Sequence, residues 1–135
     1  MGKRILAVII ALASSFALIE IFERAGGHIF PHPPVDMNDP KSISNMVAVM
    51  PVEAFLWILL GYAVSSFAGG LIASLISGRQ KAQPALIVGA VLTAGGIMNL
   101  IMIPGHPLWF IIANAFVYIP FAWLAYLLVR SKEIK

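Results

Sequence analysis

The chain has 135 residues, of which 60% are hydrophobic and 11% are charged, and its net charge is +3. One water-soluble domain of this size could not bury so much hydrocarbon, so the composition predicts an integral membrane protein. The basic residues form no stripe with interleaved aromatic residues, which argues against nucleic acid as a partner. Cysteine is absent, which excludes thiol catalysis, disulfide exchange and cysteine-based metal sites.

Four apolar stretches are long enough to cross a bilayer, which takes roughly 20 helical residues. They predict spans at about residues 5–24, 52–77, 84–103 and 108–129, with an outer loop at 25–51. The first stretch is longer than the core of a secretory signal, so we expect an uncleaved span. Because the later connections are short, neighbouring spans should be antiparallel. The sequence therefore predicts a single all-α membrane domain over residues 1–135, folded as an antiparallel bundle of four transmembrane helices.

A short helix is predicted inside the first loop. Asp39 and Pro40 are typical of an N-cap and of the first residue of a helix. The apolar residues that follow recur at helical spacing and form one stripe. This stripe consists of Ile43, Met46, Val47 and Met50. We expect an interfacial helix on the outer membrane surface, within a loop that caps the bundle.

Lysine and arginine are distributed unevenly between the two predicted sides of the membrane. The predicted outer side carries only Arg24 and Lys41. The opposite side carries Lys3, Arg4, Arg79, Lys81, Arg130, Lys132 and Lys135. Because basic residues are enriched in cytoplasmic loops, the N and C termini are both predicted to be cytoplasmic.

Small residues recur along the second and third predicted spans. The candidates for close helix packing are Gly61, Ser65, Gly69 and Ala73 in the second span and Gly89 and Gly96 in the third. In lipid, helices associate through close van der Waals packing, which small side chains permit. We expect the two stripes to pack against each other within the chain. A surface for a second copy of the chain is the alternative.

Polar and titratable residues gather on the predicted outer side. The candidate ligand or ion site comprises Glu20, Glu23, His28, His32, Asn99, His106 and Asn114. An ionised Glu20 at the membrane boundary needs a partner, and Arg24 is one helical turn away. Carboxylates and imidazoles are ligands for divalent metals, but no His-x-x-x-His pair is predicted within one helix, and no Glu-x-x-His pair is present. We therefore predict no metal and no cofactor, and interpret the loop histidines as helix caps.

Two asparagines lie within the predicted spans. Asn99 and Asn114 are both displaced towards the outer half of the membrane. Hydrogen bonding between helices is the first interpretation, and a path for a ligand or an ion is the alternative.

Glycine and proline motifs extend over most of the chain. They are Pro33-Pro34 with Asp36, Asp39-Pro40, Pro51, Gly61-Tyr62, Gly69-Gly70 and the run from Met102 to Trp109. In this combination the chain resembles a group of small four-helix bacterial membrane proteins that have no known activity. The resemblance implies a bacterial cytoplasmic (inner) membrane location and transfers no functional residue.

Three classes of function fit these patterns. A non-enzymatic accessory or scaffolding subunit of a membrane assembly is favoured by the small size, the short loops and the lack of a nucleophile and base in reach of each other. The alternative is a small transporter or channel with a polar outer mouth around Glu20, Asn99 and the loop histidines. An outer-face reaction that uses Glu23, His32 and His106 is the third. The expected partners are the lipid bilayer and either a second copy of the chain or a larger membrane complex.

Overall fold

Five helices make up the part of the chain that the structure describes. The computed structural model describes residues 2–31, 35–36, 38–77, 82–102 and 105–133, with side chains up to residue 130. The helices are α1 (Gly2–Ile29), α2 (Pro40–Ala48), α3 (Val52–Ser77), α4 (Gln83–Met102) and α5 (Leu108–Glu133). These ranges contain no strand, so the prediction of an all-α chain is confirmed for them.

The four long helices, α1, α3, α4 and α5, are each long and apolar enough to cross a membrane. Three of them start beside a proline, which suits the first helical turn because its N–H groups have no partner within the helix. Pro51 precedes α3, Pro84 is the second residue of α4, and Pro107 precedes α5. The first helix continues beyond the predicted membrane boundary as far as Ile29.

The four long helices pack side by side, with α3 in contact with the other three. α5 also packs on α4, and α1 makes a smaller contact with α4. Phe22 of α1 lies against Gly61 of α3, and Ser15 lies against Gly69, so α1 and α3 run in opposite directions.

Ring contacts set the direction of the last helix. Phe55 packs on Phe110, and Tyr62 packs on Tyr118, so α3 and α5 run in the same direction. We call the end with α2 the loop end and the end with Gly2 the terminal end.

The small residues of α3 face α1. A methyl group at Gly61 would lie 2.7 Å from Phe22 Cβ, and a methyl group at Gly69 would meet the Ser15 hydroxyl. The same hydroxyl donates a hydrogen bond to the carbonyl of Ser65 over 2.9 Å. Positions 61, 65 and 69 therefore form the contact with α1.

Gly89 and Gly96 of α4 face α5. A methyl group at Gly89 would lie 3.0 Å from Ile119 Cα, and one at Gly96 would lie 2.8 Å from the Tyr118 ring. α3 and α4 also pack on each other, as expected: a methyl group at Gly69 would lie 2.9 Å from Val88 Cγ1, and Ala73 is buried with Val88 in one core cluster. The expectation fails only for Gly89 and Gly96, which are used in the contact with α5.

A close approach of two backbones lies at Gly70, which is outside the predicted stripe. A methyl group at this position would lie 2.7 Å from the Cα of Ala122 in α5. Since a backbone cannot move aside as a flexible side chain can, only glycine fits here.

The short helix α2 begins where it was predicted. The Asp39 side chain accepts a hydrogen bond from the Lys41 N–H over 3.1 Å, and Pro40 is the first helical residue. The predicted apolar stripe packs on the protein: Val47 is buried in a cluster with Phe55 and Phe110. The stripe therefore covers the loop end of the helices, as expected of a loop that caps them.

We predict that Gly70→Ala lowers the free energy of unfolding by about 1–3 kcal/mol, the usual effect of overpacking. Gly95→Ala is the control, because a methyl group there meets no atom within 4 Å. The measurement is thermal or SDS-induced unfolding in mild detergent. Equal stability of the two variants would contradict the close contact of α3 with α5.

Candidate functional site

A cavity of about 440 Å³ lies at the loop end, between α1, α2 and α3. This volume falls within the roughly 300–1,000 Å³ typical of sites for small organic molecules. Apolar side chains from α1, α2 and α3 form most of the wall. The polar or titratable side chains on the wall are Glu23, Tyr62, Asn99 and His106.

Trp57 forms a rigid part of the wall between α3 and α1. Its indole N–H donates a hydrogen bond to the carbonyl of Phe22 over 2.8 Å. Gly26 provides the space, because a methyl group there would lie 2.9 Å from the indole ring. The Phe22 and Trp57 rings also touch, with centroids 5.1 Å apart. Gly26 therefore allows α1 and Trp57 of α3 to pack closely.

His106 lies just before α5 and contacts aromatic rings of α3 and α5. Its ring stacks on Phe110 with centroids 5.2 Å apart, and the edge contact with Phe55 is 6.2 Å. The preceding Gly105 has a φ of +112°, a conformation that favours glycine. A methyl group at Gly105 would lie 3.1 Å from the Ser44 hydroxyl, so this loop lies close to α2.

The two carboxylates of α1 have different environments. Arg24 Nε donates to Glu20 Oε1 over 2.8 Å, and the side chains of Arg24 and Glu20 are 77% and 56% exposed. This confirms the predicted pair. Glu23 lines the cavity instead, and in the described part of the chain it forms no ion pair. The carboxylate of the cavity is therefore Glu23, and Glu20 belongs to the outer surface.

The two asparagines are also separated. Asn99 lines the cavity, whereas Asn114 is 2% exposed within the helix packing. Asn114 Oδ1 accepts a hydrogen bond from the Tyr118 hydroxyl over 3.0 Å, and its Nδ2 has no partner within the described ranges. Both residues belong to α5, so this bond does not join two helices as expected. Tyr118 in turn contacts Tyr62 of the cavity wall, with ring centroids 5.4 Å apart.

Of the seven predicted site residues, the structure brings together Glu23, Asn99 and His106. His28 is exposed at the end of α1 and does not line the cavity. His32 lies outside the described residues. Among the residues that were described, no group of three or more His, Asp or Glu side chains could hold a metal ion.

Several wall residues were not predicted as part of a site. Trp57 is one of them, and Met46 and Met50 were predicted only as part of the apolar stripe of α2. The signal that could have revealed them is Gly26, because glycine within a helix often marks a close approach by another group.

No protein family, curated protein or solved structure matches the chain.

We predict that Tyr118→Phe lowers the free energy of unfolding by about 0.5–1.5 kcal/mol, because the Asn114 amide would lose its donor. Tyr62→Phe is the control: it keeps the ring contact, and within the described part its hydroxyl makes no hydrogen bond. Unfolding in detergent would be followed for both variants. If the control lost as much stability as Tyr118→Phe, the buried hydrogen bond would not be the cause.

Proposed function

We propose that this chain is a multi-pass protein of the bacterial inner membrane that binds a small, largely apolar molecule at its outer end and acts as a small transporter. The observation that carries the proposal is the cavity of about 440 Å³ in which Glu23, Asn99 and His106 meet a wall of apolar side chains. Such a pocket, mostly apolar with a few convergent polar groups, is typical of sites for small molecules.

Membrane insertion as an antiparallel four-helix bundle is supported by the outward-facing side chains. Large apolar residues on the outside of the helices are well exposed, among them Ile101 at 75% and Phe116 at 71%. Apolar surface of this kind is stable in lipid and unfavourable in water. The excess of basic residues near the terminal end supports cytoplasmic termini, which would place the cavity on the outer side.

The packing below the cavity supports entry from the loop end. Towards the terminal end, the helices approach closely at Gly69 beside Ser15 and at Gly70 beside Ala122. A bound molecule would therefore enter from the outer side. Transport would require a second arrangement in which these contacts separate, and the ligand would shift the population between the two.

An accessory subunit in a larger membrane assembly, or in a homo-oligomer, is the second candidate. The observation that favours it is the outer face of α4, where Ala90, Ala94 and Gly95 are exposed. A methyl group at Gly95 would meet no atom within 4 Å, so another transmembrane helix could approach this face closely.

We expect single-cysteine labelling to establish the orientation, since the chain has no cysteine of its own. In spheroplasts, a membrane-impermeant maleimide should label Asn38→Cys directly and Lys3→Cys only after permeabilisation, because the loop end faces outwards. Both positions are exposed. The opposite labelling pattern would show that the loop end faces the cytoplasm. Labelling of both positions without permeabilisation would refute a single orientation in the membrane.

The cavity itself is tested by two neighbouring substitutions on α3. Ile58 lines the cavity, whereas Leu56 does not and is 53% exposed. Native mass spectrometry of protein extracted gently from its membranes should find a small molecule on the parent chain and on Leu56→Trp, but not on Ile58→Trp, whose indole fills the space. If both variants retained the small molecule equally, its binding site would lie outside this cavity. A co-purifying second polypeptide would instead support the accessory subunit.

A further inference from the structure

Glu23 brings a negative charge to the cavity wall. Among the described residues of the wall it is the only carboxylate, and neither lysine nor arginine is among them. The basic residue nearest in sequence, Arg24, bonds to Glu20 on the exposed surface. Within the described part of the chain, Glu23 therefore has no basic partner, and a cationic group of a ligand could occupy that place.

The rest of the wall suits a cation that carries an apolar body. Phe30, Phe55, Trp57 and Tyr62 present aromatic rings, which attract cations through the negative potential of their faces. Met46 and Met50 of α2 add flexible, polarisable side chains that adapt to different apolar shapes.

The position of Glu23 also fits this class of molecule. Unlike Phe55 in the depth of the wall, Glu23 remains exposed, so it lies at the rim of the cavity. A ligand could keep its charged group near the rim and near water, while its apolar part contacts the inner wall. An inorganic ion would fill little of a cavity of about 440 Å³ and would leave the apolar wall without contacts.

We propose that the cavity binds apolar organic cations, namely amines or quaternary ammonium ions with an aromatic or aliphatic body, and that Glu23 is the residue that selects for positive charge. This inference rests on the proposed binding function and specifies its substrate class.

The test uses two probes that differ only in charge: the phenylbutyl trimethylammonium ion and its neutral tert-butyl isostere. In a background with Trp109→Phe and Trp123→Phe, Trp57 is the only tryptophan left, and its emission reports on the cavity. Dissociation constants are corrected for partition into empty micelles. The cation should bind about tenfold or more tightly than the isostere, through the carboxylate and the aromatic rings.

Two substitutions on α1 locate the selectivity. Glu23→Gln should weaken binding of the cation about tenfold and leave the neutral isostere unchanged. Glu20→Gln is the matched control, one turn earlier on the same helix and paired with Arg24, and should change neither probe. Thermal unfolding verifies that both variants are folded.

The possible outcomes separate the two proposals. If both probes bind equally and Glu23→Gln has no effect, the cation specificity is overturned while the binding function stands. If Glu20→Gln has the same effect as Glu23→Gln, the selectivity arises from general surface charge and the role of Glu23 is refuted. If neither probe changes the Trp57 emission saturably, the binding function fails together with the inference.

Discussion

The close approach of α3 to its neighbours is the constraint on which the rest of this structure depends. Gly70 lets α3 reach the backbone of α5 at Ala122, while Gly61 and Gly69 admit Phe22 and Ser15 of α1 on another face. One helix can contact several others closely only if small residues occur on more than one of its faces. In α3, small residues lie on two faces: Gly61 and Gly69 face α1, and Gly70 faces α5.

The cavity follows from the change in side-chain size along α3. Near the loop end this helix carries the larger side chains Phe55, Trp57, Ile58 and Tyr62, which line the cavity. The short helix α2 covers this end and buries Val47 against Phe55, but the cover is incomplete. α3 therefore packs closely on its neighbours at the terminal end and lines the cavity at the loop end.

Local electrostatics set the character of this space. Because Arg24 bonds to Glu20, the one basic side chain of this part of α1 is engaged on the outer surface. Glu23, three residues after Glu20, points to the cavity without such a partner in the described part of the chain. The ion pair of Glu20 with Arg24 therefore leaves the neighbouring Glu23 carboxylate available to a ligand.

The sequence by itself determined those features that depend on spacing within one segment. These features are the presence of the four apolar helices, the start of α2 at Asp39 and Pro40, and the pair of Glu20 with Arg24. Each depends only on residues within one apolar stretch or one helical turn. These rules apply to a segment whatever it packs against, so they could be applied before the fold was known.

Only the tertiary structure decided which faces meet. The spacing of Gly61, Ser65 and Gly69 predicts a face for close packing but does not say that α1 covers it. In the same way, sequence could not separate Glu23, which lines the cavity, from Glu20, which does not. The physical reason is that the partner of a face depends on the rotation of each helix about its axis, and contacts between residues far apart in the chain set that rotation.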